Sequence, residues 1–102
     1  MLNYKIETKE DSAVLKIEGR VDNDGTAKFQ EALDALGQTN VNKAVLDLRD
    51  LVFINSSGIG KLLIFYKKFK NLGKETVING INDDIYTLFK AIRLDKLLKI
   101  VK

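Results

Sequence analysis

The sequence predicts an α/β domain, a mixed and mostly parallel sheet of four to five strands with three main helices in the order β-β-α-β-α-β-α-β. Three observations predict it. The chain opens with two segments of period-two alternation; short apolar runs then recur along it; and between those runs lie stretches of helical period, entered through Asp, Asn or Ser, the first two of them ending at Gly. Strands that alternate with helices call for parallel pairing through crossover connections.

Tyr4, Ile6 and Thr8 alternate with Lys5, Glu7 and Lys9, and Ala13, Leu15 and Ile17 with Lys16 and Glu18, so the two segments form an antiparallel hairpin turning around Glu10-Asp-Ser12. Asp22-Asn-Asp-Gly25 is turn chemistry, after which Phe29, Ala32, Leu33 and Leu36 recur at helical spacing up to Gly37, with Asp22 or Asp24 as the expected cap. Ala44-Val-Leu-Asp-Leu48 is almost continuously apolar and suits a strand covered on both faces. A second helix opens at Ser56-Ser57 and runs to about Gly73, Thr76 to Asn79 form a strand, and Asn82 caps a third helix with Ile85, Leu88, Phe89 and Ile92 on one side. Leu97 to Val101 supply the closing strand. There is no proline, repeat or linker-like stretch, and 102 residues support one core, so residues 1–102 read as a single domain.

Composition removes several kinds of chemistry. Without Cys or His the chain has no disulfide, no thiolate zinc site and no histidine base, and no metal or cofactor is expected. The longest purely apolar run, Leu62 to Tyr66, is five residues, far short of the roughly 20 that span a bilayer. The start of the chain lacks the continuous apolar stretch of a secretory leader, which points to a cytoplasmic protein. The net charge of +3 is concentrated: Lys61, Lys67, Lys68, Lys70 and Lys74 fall between Ser56 and Lys74 with no acid among them. Such asymmetry can draw nucleic acid, anionic lipid or an acidic protein surface.

The second helix carries the most informative residues. Placed at 100° steps, Ile59, Leu62, Leu63, Phe65, Tyr66 and Phe69 share one half of its surface, and Gly60, Ile64, Lys67, Lys68 and Asn71 the other. The aromatics therefore fall on the buried side, and nucleic-acid binding through the lysines lacks the exposed stacking platform it needs. Ile64 stands among lysines as a possible partner contact. Gly58 and Gly60 each cost a helix about 1 kcal/mol relative to alanine, so close backbone approach, by the sheet or by another protein, must favour them. Ser56-Ser-Gly-Ile-Gly-Lys61 fails as a phosphate-binding P-loop, because Asn55 and Leu62 stand where glycine and Ser or Thr are required. A nucleophilic serine would have only Lys61 for a base. A serine hydroxyl at the helix opening can instead cap the first turn or be modified by an enzyme.

Phe53-Ile-Asn-Ser-Ser-Gly-Ile-Gly60 resembles the loop of the anti-sigma factor antagonists, the single-domain STAS proteins, which reads roughly Phe-Met-Asp-Ser-Ser/Thr/Ala-Gly-Leu-Gly. Gly19-Arg-Val-Asp22 is similar to that family's Gly-x-Leu/Val-Asp ahead of the first helix, and Leu94 to Ile100 to its closing segment. The resemblance implies a STAS fold and a non-enzymatic role in partner switching. The unphosphorylated antagonist binds an anti-sigma factor serine kinase and frees a sigma factor, phosphorylation ends the complex, and a serine phosphatase restores it. It places the phosphate on Ser56, or one residue later on Ser57, with Asn55 where the family usually has Asp. Asp22, Asn55, Ser56, Ser57, Gly58, Lys61, Ile64, Lys67 and Lys68 are then the expected partner-binding residues, on a chain that is a monomer when free. A second reading is a non-switching STAS adaptor that docks permanently on a transporter ATPase or another signalling complex.

Overall fold

The computed structural model describes residues 1–102. A hairpin of β1 (Leu2–Lys9) and β2 (Ser12–Val21) leads into α1 (Thr26–Gly37), β3 (Lys43–Ile54), α2 (Ser56–Asn71), β4 (Glu75–Ile81), α3 (Asp83–Ala91), a single 3-10 turn (Leu94–Lys96) and β5 (Lys99–Val101). The strands lie in the order β1-β2-β3-β4-β5, with β1 antiparallel to β2 and every other pair parallel. This is the α/β architecture and element order that the periodicity predicts.

Because each parallel strand is added on the same side of the last, right-handed crossovers place all three helices on one face of the sheet. Burial follows that rule. Ala13, Leu15 and Ile17 of β2 and Ala44, Leu46 and Leu48 of β3 are sealed beneath Phe29, Leu33, Leu62, Phe65, Phe69 and Phe89 of the helices, while Lys5, Glu7, Lys16 and Glu18 on the opposite face meet water. The expectation that β3 is covered on both faces is therefore overturned: Val45 and Asp47 are only half-buried, because no helix crosses the second face.

Other local expectations are corrected too. Neither Asp22 nor Asp24 caps α1; the helix follows Gly25, whose side-chain-free position makes no cap bond, and the Asp22 carboxylate instead closes the turn before it. β3 is far longer than the Ala44 to Leu48 run, because its outer half pairs with β2 through register shifts that alternation alone does not reveal. Ile92 lies beyond the end of α3 and is exposed, and β5 begins at Lys99 rather than Leu97, residues 94–96 having turned into the 3-10 segment. The second helix matches its predicted faces: Leu62, Phe65 and Phe69 are buried, Ile59, Leu63 and Tyr66 partly so, and Ile64, Lys67, Lys68 and Asn71 exposed.

Candidate functional site

The carboxyl ends of β2 and β3 and the first turn of α2 meet at one rim of the sheet. β3 ends at Ile54, and the main-chain N–H of Asn55 donates to the Val21 carbonyl at 2.9 Å, extending the β2–β3 ladder into the loop. Asn55 itself is extended, with ψ 174°, and its Oδ1 accepts from the Gly58 N–H at 2.8 Å. The cap of α2 is thus an amide and not a serine hydroxyl, contrary to the capping role that the sequence allows Ser56 and Ser57. Both serines are left exposed in the first turn, their hydroxyls bonded to nothing in the chain. The Ser56 and Ser57 N–H groups are also unpartnered, the orphan donors that every helix start leaves, and they make this rim locally electropositive.

The two glycines separate cleanly. A Cβ on Gly58 would stand 2.6 Å from Val21 Cγ1 and 2.9 Å from Ile54 Cγ1, so this chain's own packing demands glycine there and Gly58 is buried beneath the rim. A Cβ on Gly60 would meet nothing within 4 Å. Tight packing onto the sheet, which the sequence allows as an explanation for Gly60, accounts for Gly58 alone.

Of the lysines, Lys61 is half-buried and its Nζ donates to Gln30 Oε1 at 3.3 Å, tying α2 to α1. Lys67 and Lys68 are exposed, lie further along the helix and form no ion pair. Ile64 is 57% exposed on the same side. Apart from Lys61, bonded to Gln30, the site residues expected from the sequence fall into two groups: Asp22, Asn55, Ser56 and Ser57 at the rim, with Gly58 beneath them, and Ile64, Lys67 and Lys68 along the outer face of α2.

Asp22 sits on the β2–α1 turn. Its Oδ1 accepts from the N–H groups of Gly25 and Asp24 at 3.0 and 3.1 Å, and its Oδ2 lies 3.6 Å from Arg20 Nε. Desolvation pushes the carboxyl pKa up, but the Gly25 N–H, the chain's N-terminal charge and the Asp24 N–H outweigh it and hold it below its usual value. The Arg20 guanidinium in turn stacks over the Phe53 ring, 4.6 Å from its centroid.

Arg20, Val52 and Phe53 are absent from the sequence-derived set. Val52 is 60% and Phe53 38% exposed at the rim, the former beside a shallow depression lined by Arg49, Asn82, Asp83 and Asp84. Leu51-Val-Phe-Ile54 is a run of four apolar residues, and a strand covered on one face cannot turn four consecutive side chains inward. That count, once the helices are known to share one face, is the signal that finds Val52 and Phe53.

Comparison with known proteins decides the family. The STAS domain model matches residues 3–102. The chain belongs to the STAS domain family. An anti-sigma-B factor antagonist of Listeria monocytogenes is 26% identical, covering 97% of this chain and 90% of the relative. An anti-sigma F factor antagonist of Paenibacillus polymyxa is 28% identical over 97% of this chain and 87% of its own. Among solved structures, an anti-sigma factor antagonist from Mycobacterium paratuberculosis superposes with a TM-score of 0.89 at 18% identity, covering 99% of this chain and 86% of that one. No helix of this STAS domain is long and apolar enough to cross a membrane.

Proposed function

We propose that this STAS domain is an anti-sigma factor antagonist in a partner-switching pathway: unphosphorylated, it binds an anti-sigma serine kinase in the cytoplasm and releases a sigma factor, and phosphorylation of Ser56 ends that complex until a serine phosphatase reverses it. The names of its relatives support the class of partner. The observation that carries the switch is the exposed Ser56 hydroxyl at the first position of α2, whose cap is supplied by Asn55 and does not depend on that hydroxyl.

The role asks no catalysis of this chain. Lys61, the one amine that could have served Ser56 as a base, is engaged by Gln30. A phosphate on Ser56 adds a charge of about −1.5 to −2 at pH 7 beside two unpartnered N–H groups, an arrangement that favours the helix. Release of the kinase then arises at the interface, from the phosphate's bulk and from repulsion by an acidic partner surface. Such a surface suits Lys67 and Lys68, which lack counter-charges of their own, and association steered by them slows as salt rises.

The test is incubation with ATP and the cognate kinase, followed by intact mass and site mapping, together with binding of Ser56→Ala and Ser56→Asp. A single phosphate on Ser56 and at least about tenfold weaker binding of Ser56→Asp than of Ser56→Ala are expected. Equal affinities would remove the electrostatic switch. The exposed Val52 and Phe53 favour one other reading, a permanently docked adaptor on a transporter ATPase, because a lasting interface buries apolar groups. A stable ATPase complex that copurifies with the chain and survives Ser56→Asp would decide for it.

A further inference from the structure

The long outer strand of the sheet carries an inference independent of the switch. β1 pairs with β2 alone, and the Arg20 N–H donates to the Met1 carbonyl at 3.2 Å, which sets the phase of the hairpin: the odd-numbered residues of β1 turn their main-chain groups toward β2. Leu2, Tyr4, Ile6 and Thr8 therefore point theirs off the sheet, and no hydrogen bond of the chain reaches them. The Tyr4 hydroxyl, donating to Glu31 at 2.9 Å, holds α1 over the covered face of β1 and leaves the edge bare. The edge at the other end of the sheet is only the three residues of β5.

We infer that two copies of this chain, expected from its sequence to be a monomer when free, join antiparallel along β1, with Ile6 opposite Ile6 of the second copy, to form one continuous sheet. The register follows from two constraints. Only residues of even number offer free main-chain groups, so even must face even, and a shift by one residue is forbidden. Among the registers that remain, the one centred on Ile6 sets Lys5 opposite Glu7 of the second copy and Glu7 opposite Lys5, in the positions where facing side chains come closest. Moving two residues either way sets Lys5 against Lys9 with Glu7 against Glu7, or Lys5 against Lys5. Parallel pairing in register would oppose every like charge. Lys5 and Glu7 already lie 3.2 Å apart on the open face, so the dimer closes a ring of four alternating charges. The two-fold axis stands normal to the sheet: both helical layers lie on the same side, and the two Ser56 loops sit at opposite ends, each open to a partner.

Sedimentation equilibrium of the whole chain over a range of concentrations tests this. The wild type is expected to be in monomer–dimer equilibrium. Lys5→Glu and Glu7→Lys, taken singly, each set like charges opposite at both contacts and are expected to raise the dimer dissociation constant by about tenfold or more. An equimolar mixture of the two variants restores opposite charges at both contacts and is expected to dimerise like the wild type. Thr8→Pro removes an outward N–H that the monomer does not use, and is expected to abolish the dimer while circular dichroism stays unchanged. A wild type that remains monomeric at every soluble concentration, a dimer indifferent to the charge reversals, or a mixture no better than its components would each overturn the inference.

Discussion

Two glycines two positions apart in the same helix turn behave oppositely because of what stands above each. Gly58 lies against Val21 and Ile54, both buried, so Gly58→Ala must move a β-branched side chain or the helix, a cost of about 1–3 kcal/mol. Gly60→Ala adds a methyl in open space and removes the entropy that glycine loses on folding, a gain of about 0.5–1 kcal/mol. Urea denaturation of the two variants should move the midpoint in opposite directions; a loss of stability at Gly60 would mean that its neighbourhood is tighter than the open space found there. The pair of glycines was legible in the sequence as a place where another backbone comes close, but which glycine served the chain's own fold was not. That depended on Val21, over thirty residues away, arriving beneath the loop through the β2–β3 pairing. Asn55 was legible as an amide in a family position for Asp; its capping of Gly58 required the extended backbone at residue 55, which no residue type dictates.

At the scale of elements, existence and order were readable from period and punctuation, because alternation and 3.6-residue recurrence are written locally. Ends were not. β3 outruns its apolar run because β2 and a side chain from the β4–α3 junction support its outer half. Asn82 accepts from the Ile85 N–H at 3.0 Å as the cap of α3, and its Nδ2 donates to the carbonyls of Leu51 at 2.5 Å and Arg49 at 3.3 Å, where β4 no longer pairs. The sequence disclosed only the first of these roles. Asn82→Ala should therefore cost more than a cap alone, about 2–3 kcal/mol, since two strand carbonyls lose their donor as well. Asn82→Asp separates the contributions: it keeps an acceptor for Ile85 but sets a carboxylate against two carbonyls, so it should fail to restore stability at neutral pH. Hydrogen exchange reads the same effect nearer the candidate site. In both variants the Asn55 amide, bonded to the Val21 carbonyl just past the outer half of β3, should exchange faster, and protection unchanged from wild type would show that Asn82 does not hold the rim.

For the molecule as a whole, the absence of histidine removes the side chain that ordinarily titrates near neutrality, so the pH dependence of stability rests on the acidic and basic limbs. Four groups set their direction, the Tyr4 hydroxyl among them: its hydrogen bond to Glu31 raises its pKa, so its contribution is lost as pH rises through the folded value. The Asp83 carboxyl is held low by its hydrogen bond and charge contact with Lys102, whose Nζ lies 2.6 Å away, and the Asp22 carboxyl is held low by the Gly25 and Asp24 N–H groups and the N-terminal charge in spite of desolvation. A carboxyl with a lowered pKa binds its proton more readily in the unfolded chain. Its contribution is complete above the unfolded value, near pH 4, and is lost as pH falls through the lower folded value. Lys102 runs the other way: its hydrogen bond to Asp83 raises its pKa against desolvation, so its contribution is complete below the unfolded value, near pH 10.4, and is lost as pH rises through the folded one. The urea midpoint should accordingly stay level between about pH 6 and 9, fall below about pH 4 and fall again above about pH 10. Because Asp83 and Lys102 are one contact, Asp83→Asn should flatten both limbs together and leave the Asp22 part of the acid limb and the Tyr4 part of the alkaline limb. A variant that altered the acid limb alone would mean that Lys102, which also lies 4.7 Å from the centroid of the Tyr86 ring, draws its alkaline contribution from that ring and not from Asp83.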